Sequence, residues 1–230
     1  MRKFLLATVL IPFVSHANVI ISATREIYPS DSKEISVQLL NNGSEPSLVQ
    51  AWIDDGDPNS TPETANVPFL LMPPVVKVSG HSGQQLKVKY IGGNQAKDRE
   101  SVFYLNVLDI PPEPENLRGR SVMQLAIKSR IKFFFRPTGL KIPVSDMVKK
   151  ISIYNKGDQL NIDNTTPYYL TLSAITPASS KKNLLSEGLM ISPFSQKSIA
   201  INIALRAGDR ISVVYINDYG ANISTEKEIK

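Results

Sequence analysis

A chain of 230 residues with 42% hydrophobic and 20% charged residues is composed like an ordinary globular protein of one or two domains, which excludes disorder, collagen and a polytopic membrane protein. The formal net charge of +5 is too mild for a nucleic-acid binder. The absence of cysteine excludes disulfides, thiol nucleophiles and thiolate metal sites.

The first segment is a targeting signal. Met1-Arg2-Lys3 is basic, Phe4 to Val14 is an apolar run, and Ser15-His16-Ala17 is a small-x-small cleavage site. The run is too short to span a bilayer, which takes about 20 residues. Cleavage after Ala17 leaves a mature chain starting at Asn18 and, with Arg2 and Lys3 gone, lowers the net charge from +5 to about +3. A soluble exported protein with no membrane insertion and no nucleic-acid partner is expected.

From Asn18 onward the chain reads as short strands separated by turns. Val19 to Ile21 continues through Ser22, Thr24 and Glu26 to Pro29. Glu34 to Leu40 alternates, with Ile35, Val37 and Leu39 against Ser36 and Gln38, and stops at Asn41-Asn42-Gly43-Ser44. Leu48 to Ile53 is closed by the turn Asp54-Asp55-Gly56-Asp57-Pro58. Phe69 to Met72, Gln85 to Tyr90 and Ser101 to Val107 follow, and Ser121 to Phe135 is the longest strand candidate. The second half adds Lys150 to Tyr154, Gln159 to Asp163, Tyr168 to Ile175, Ser198 to Leu205 and Arg210 to Asn217. No window carries a helical stripe. This spacing, punctuated by 16 prolines, is that of sandwiches or barrels, and two sets of strands imply two sandwiches. The boundary falls near Pro137-Thr138-Gly139, dividing residues 18–138 from 139–230.

Enzyme chemistry is nearly missing. The mature chain has one histidine, His81, in a Gly-His-Ser-Gly turn, with no partner that would make a metal site. There is no nucleophile elbow, P-loop or dinucleotide fingerprint. No catalytic residue, cofactor or metal is expected.

Two features do stand out. In the stretch Ser121 to Phe135, Met123, Leu125 and Ile127 are large and apolar while Gln124 and Lys128 are polar. As a core strand it has one wet face; at a sheet edge it would offer unpaired backbone and a row of apolar knobs, a template for strand addition. The second feature is a set of cations near strand ends: Arg25, and Lys132 and Arg136 four residues apart on one face. Each alone reads as a solvated charge; two meeting in a cleft would hold a carboxylate.

At these residues the chain resembles the PapD-like periplasmic chaperones of pilus assembly. The matching stretches are Thr24-Arg25, Gln50-Ala51-Trp52-Ile53, Pro73-Pro74, Asp98 to Asn106, Ile110-Pro111-Pro112, Ile131 to Pro137, Asn164 to Tyr169 and Tyr215 to Gly220. The resemblance implies an all-β chain of two immunoglobulin-like domains arranged as a boomerang. It implies that Arg25 and Lys132, with Thr24 beside them, anchor a pilus subunit's C-terminal carboxylate. It makes Met123, Leu125 and Ile127 the knobs of a donated strand, and Glu100, Arg136 and Asp218 an interdomain charge cluster. The Phe103-to-Met123 connection, without cysteines, matches the short-loop subgroup, although the loop Glu113 to Arg120, with Arg118 and Arg120, is somewhat enlarged and charged. Release to an outer-membrane usher would need no nucleotide. One departure is a cysteine-free tail, Ala221 to Lys230, which leaves the tip of the second domain undefined. A pilus structural subunit or an adhesion module with Ig-like domains is the alternative reading, and self-association through the donor strand stays open.

Overall fold

The computed structural model describes residues 18–113 and 123–230. The signal segment, residues 1–17, lies outside these, as do Arg118, Arg120 and the beginning of the expected long strand at Ser121 and Val122.

Nine strands form the first unit. One sheet has the order β1 (Val19–Ile21), β3 (Ile35–Asn41), β7 (Gly83–Tyr90), β5 (Phe69–Met72). The facing sheet has the order β2 (Arg25–Pro29), β9 (Ile127–Arg136), β8 (Ser101–Ile110), β4 (Ser47–Asp54), β6 (Val75–Val78). Alternation explains the packing: Val37, Leu39, Leu86 and Val88 point inward and are buried, while Ser36, Gln38, Lys87 and Lys89 face away from the core. Between the sheets Tyr28, Phe69, Phe103, Phe133 and Phe135 form an aromatic core with ring centroids 4.9 to 6.2 Å apart. The buried Tyr28 hydroxyl donates to Ser32 O at 2.9 Å and accepts from the Tyr90 N–H at 3.0 Å, so its burial leaves no orphaned polar group. Val19 N–H crosses to the other sheet, donating to Asp109 Oδ2 at 3.0 Å.

The second unit follows a 3-10 turn and the one-turn helix α1 (Met147–Lys150). Its sheets are β10 (Ser152–Lys156), β11 (Gln159–Asn164), β14 (Ser195–Ala200) and β13 (Leu189–Ile191), β12 (Leu170–Pro177), β15 (Arg210–Ile216), β16 (Asn222–Glu228). Its core, built on Leu160, Ile162, Leu170, Leu172, Ile175 and Ile211, shares no residue with the first. Two immunoglobulin-like β-sandwiches, one per half of the chain, are therefore present.

Four strands differ from the sequence expectation in ways that matter. The segment from Val19 to Pro29 is not one strand: the chain leaves one sheet after Ile21 and joins the other at Arg25. The cysteine-free tail forms β16 along β15; its residues are polar and largely exposed, so no apolar alternation announces it. β14 starts at Ser195, three residues before the expected Ser198. The long strand begins at Ile127, not Ser121. Its ladder with β8 starts at Ile127↔Asp109, and β8 ends at Ile110 against Pro111-Pro112, which have no N–H to continue it. Met123 and Leu125 therefore precede the strand rather than lying within it.

Candidate functional site

β9 is the organising element. On one side it pairs with β8 along its whole length, from Ile127 to Phe135. On the other side it pairs with β2 in parallel, only from Arg25↔Lys132 to Pro29↔Arg136. The crossover at Ser22 to Thr24 causes this, because β2 begins too late to cover the first half. Among the described residues, nothing pairs with that flank of Ile127–Ile131. Apolar exposure rises along the same line: Ile127 is 39% exposed, Leu125 66% and Met123 87%. Ile131, Phe133 and Phe135 continue the odd-numbered face into the core.

The uncovered flank ends at two cations. Arg25 and Lys132 are direct cross-strand partners, so adjacent side chains of like charge share a face. Arg25 is 8% exposed, its guanidinium 5.8 Å from the Phe134 ring centroid. One of its amino groups donates to Ile216 O at 3.3 Å, and its buried Nε has no acceptor. Burial pulls the Arg25 pKa down against the opposing pull of Asp218 and Glu100. Burial and the neighbouring Arg25 likewise lower that of Lys132. Among the described residues Lys132 has no ion-pair partner. Partly dehydrated like charges of this kind favour an anion, which would offset both penalties. An adjoining cavity of about 150 Å³ is lined by Arg25, Phe134, Arg136, Tyr169, Ile216 and Asp218.

Thr24, expected beside this pair, is exposed and lies against the second unit: a β-carbon built on Gly220 would fall 2.1 Å from Thr24 Oγ1. Gly220 also has φ +79° in the turn that the Asn217 side chain caps by accepting from the Tyr219 and Ala221 N–H groups. Gly220→Ala is expected to cost about 1–2 kcal/mol, read as a lower urea midpoint, because both the backbone and the Thr24 contact must yield.

The third expected cluster does assemble. Arg136 Nε donates to Glu100 Oε1 at 2.6 Å, and its two amino groups clasp Asp218 at 2.7 and 2.8 Å. Glu100 Oε2 accepts the Tyr169 N–H at 2.7 Å, and the Glu100 N–H donates to Pro167 O at 2.9 Å. Burial raises the Glu100 pKa despite Arg136. Asp218 and Glu100 raise that of Arg136 despite its burial. Hydrogen bonds thus run from Glu100, just before β8, and from the end of β9 to two segments of the second unit.

Sequence reasoning missed a second network. Asp54, 1% exposed, accepts from Asn106 Nδ2 at 2.6 Å, from the Gly56 N–H at 2.7 Å and from Arg130 Nε at 3.1 Å. The Asp-Asp-Gly turn was its only visible signal, and it marks one of these bonds.

Paired immunoglobulin-like sandwiches, bridged by a charge cluster and carrying a half-uncovered strand that ends at a cation pair, make a narrow class. Residues 18–141 match the N-terminal domain of the pili and flagellar-assembly chaperone PapD, and residues 146–227 match the C-terminal domain of the pili assembly chaperone PapD. The chain belongs to this chaperone family, which is not a family of enzymes. It is 40% identical over 223 residues to chaperone protein MrkB of Klebsiella pneumoniae, covering 95% of this chain and 94% of that one. It is 41% identical over 218 residues to chaperone protein HifB of Haemophilus influenzae, covering 91% and 87%. The crystal structure of the Pseudomonas aeruginosa CupB2 chaperone superposes with a TM-score of 0.78 at 29% identity, covering 92% of this chain and all of that one.

Proposed function

We propose that the chain, exported to the periplasm after cleavage behind Ala17, stabilises pilus subunits by lending them the uncovered flank of β9 and passes them to an outer-membrane usher. The single observation behind this reading is that the flank of Ile127–Ile131 lies open, is preceded by exposed Leu125 and Met123, and ends at the Arg25–Lys132 pair. A subunit lacking one strand exposes an apolar groove and unpaired backbone. Met123, Leu125 and Ile127 would fill that groove, each contributing about 1.5–3 kcal/mol before ordering costs. Arg25 and Lys132 would hold the subunit's terminal carboxylate and so fix register, since a one-residue slip turns every side chain over. We place the domain limits at 18–138 and 139–230, and the connection from β8 to β9 in the short-loop subgroup.

Mass spectrometry of proteins co-purified from the periplasm tests the reading. A pilus subunit in stoichiometric amount is expected; its absence from a strain expressing the neighbouring pilus proteins overturns it. Leu125→Glu is expected to weaken subunit capture by about ten- to a hundredfold, because a charge then enters an apolar groove. Leu125 is largely exposed in the free protein, so the thermal midpoint should not move. A binding titration with unchanged affinity would remove Leu125 from the donated segment.

A further inference from the structure

The uncovered half of β9 has a mechanical problem. Its odd-numbered side chains and its free backbone flank are the parts offered to a client, and among the described residues only β8 pairs with its backbone. An edge strand bonded on one side twists and frays. The handle left for holding it is the even-numbered face, which carries Lys128, Arg130 and Lys132.

Arg130 uses that handle. It stands opposite Asn106 of β8, which stands opposite Trp52 of β4. The Arg130 guanidinium lies 3.8 Å from the Tyr104 ring centroid and reaches across β8 to the last residue of β4, Asp54. There it binds both carboxylate oxygens, through Nε at 3.1 Å and through a terminal amino group. Asn106 and the Gly56 N–H complete the carboxylate's shell. Three strands are thereby tied by one planar, bidentate contact on a buried base, geometry that a lysine could not reproduce. These hydrogen bonds outweigh burial and hold the Asp54 carboxyl below its usual range, so the contact stays ionic. Lys128 adds a lighter stitch, donating to Pro58 O at 2.8 Å with its ammonium 5.9 Å from the Trp52 ring. The next cation on the face, Lys132, has no such tie among the described residues.

We infer that Arg130 is a positioning residue: with Asp54 it clamps the uncovered half of β9 flat against β8, so that the flank is already shaped for an incoming strand. This rests on the strand-lending reading above and adds to it the device that keeps the lent strand in place. Arg130 itself touches no client; it acts through the backbone of Ile127–Ile131.

The test joins hydrogen exchange on the free protein to capture of a cognate pilus subunit, for Arg130→Gln, Asp54→Asn, the double variant and Arg25→Ala. Arg130→Gln is expected to speed amide exchange in residues 127–131 while leaving 132–136, covered by β2, unchanged, and to raise the subunit dissociation rate about tenfold. Asp54→Asn, the milder change should Arg130→Gln fold poorly, is expected to act in the same direction, and the double variant to be no worse than Arg130→Gln alone. Unchanged subunit dissociation overturns the clamp, as does exchange that accelerates equally in both halves of β9. If Arg25→Ala abolishes capture while Arg130→Gln leaves it intact, the clamp alone falls; if Arg25→Ala also retains capture, the strand-lending reading falls with it.

Discussion

Arg25→Ala and Lys132→Ala are each expected to leave the protein folded and to reduce retention of pilus subunits by ten- to a hundredfold or more. A hydrogen bond to a charged group contributes about 1.5–3 kcal/mol, and about 1.4 kcal/mol is tenfold in affinity. Loss of register adds to this, because the apolar side chains of the lent segment no longer meet their pockets. Folding should be spared for a reason visible in the free protein. Arg25 is buried with its Nε unsatisfied and a like charge beside it, so the pair costs stability until an anion arrives. Removing either cation relieves the other: in Arg25→Ala the Lys132 pKa moves back up. Co-purification with the cognate subunit, set beside urea denaturation of the free variant, checks both halves. A variant that unfolds early, or one that still retains its subunit, contradicts the assignment.

Arg136→Ala is expected to be the most damaging substitution to the free protein. It strips the buried Glu100 of its charged partner and breaks both bonds to Asp218. Removing one member of a buried ion pair costs about 3–5 kcal/mol, because the other is left charged and uncompensated. The pH dependence has a definite sign. Burial already raises the Glu100 pKa, and loss of Arg136 raises it further. A carboxyl with a raised folded-state pKa binds more protons folded than unfolded, so its penalty grows as pH rises through that value. The deficit of Arg136→Ala relative to the parent should therefore be smaller near pH 5 than near pH 8. Urea midpoints at the two pH values measure it; an equal or larger deficit at the lower pH would show that Glu100 does not carry the loss.

The parts that sequence made legible are those governed by local pattern. β3 and β7 announce themselves by alternation, and the turn after Asn41 ends β3 where expected. The charges of Arg25, Lys132 and Arg136 were visible too, but the meeting of Arg25 with Lys132 was not, because a parallel pairing between β2 and β9 joins residues more than a hundred positions apart. The division of the first segment between two sheets carried no signal, since Ser22, Ala23 and Thr24 would sit equally well inside a strand. β6 was hidden behind Pro73-Pro74, and β16 by its polar composition. The late start of β9 follows from prolines on its neighbour rather than from its own residues. Asp54 read as turn chemistry, and it does bind the Gly56 N–H; its ion pair with Arg130, 76 residues away, belongs to tertiary structure alone.

The parallel pairing of β2 with β9 has one more consequence. β2 occupies the flank of β9 from Lys132 onward, so a guest strand laid along Ile127–Ile131 and reaching toward the cations would run in the direction of β9 and lie collinear with β2, tail to head. The first residue of β2 would then act as a buffer stop. A polypeptide with further residues to place beyond Lys132 would collide with the chaperone's own backbone, whereas one that ended there would bring its carboxylate to Arg25 under the proposed reading. The fold would thereby discriminate between the end of a chain and its middle by excluded volume, before any side chain is compared. The number of residues between that stop and Met123 would measure out how much of the guest can be covered.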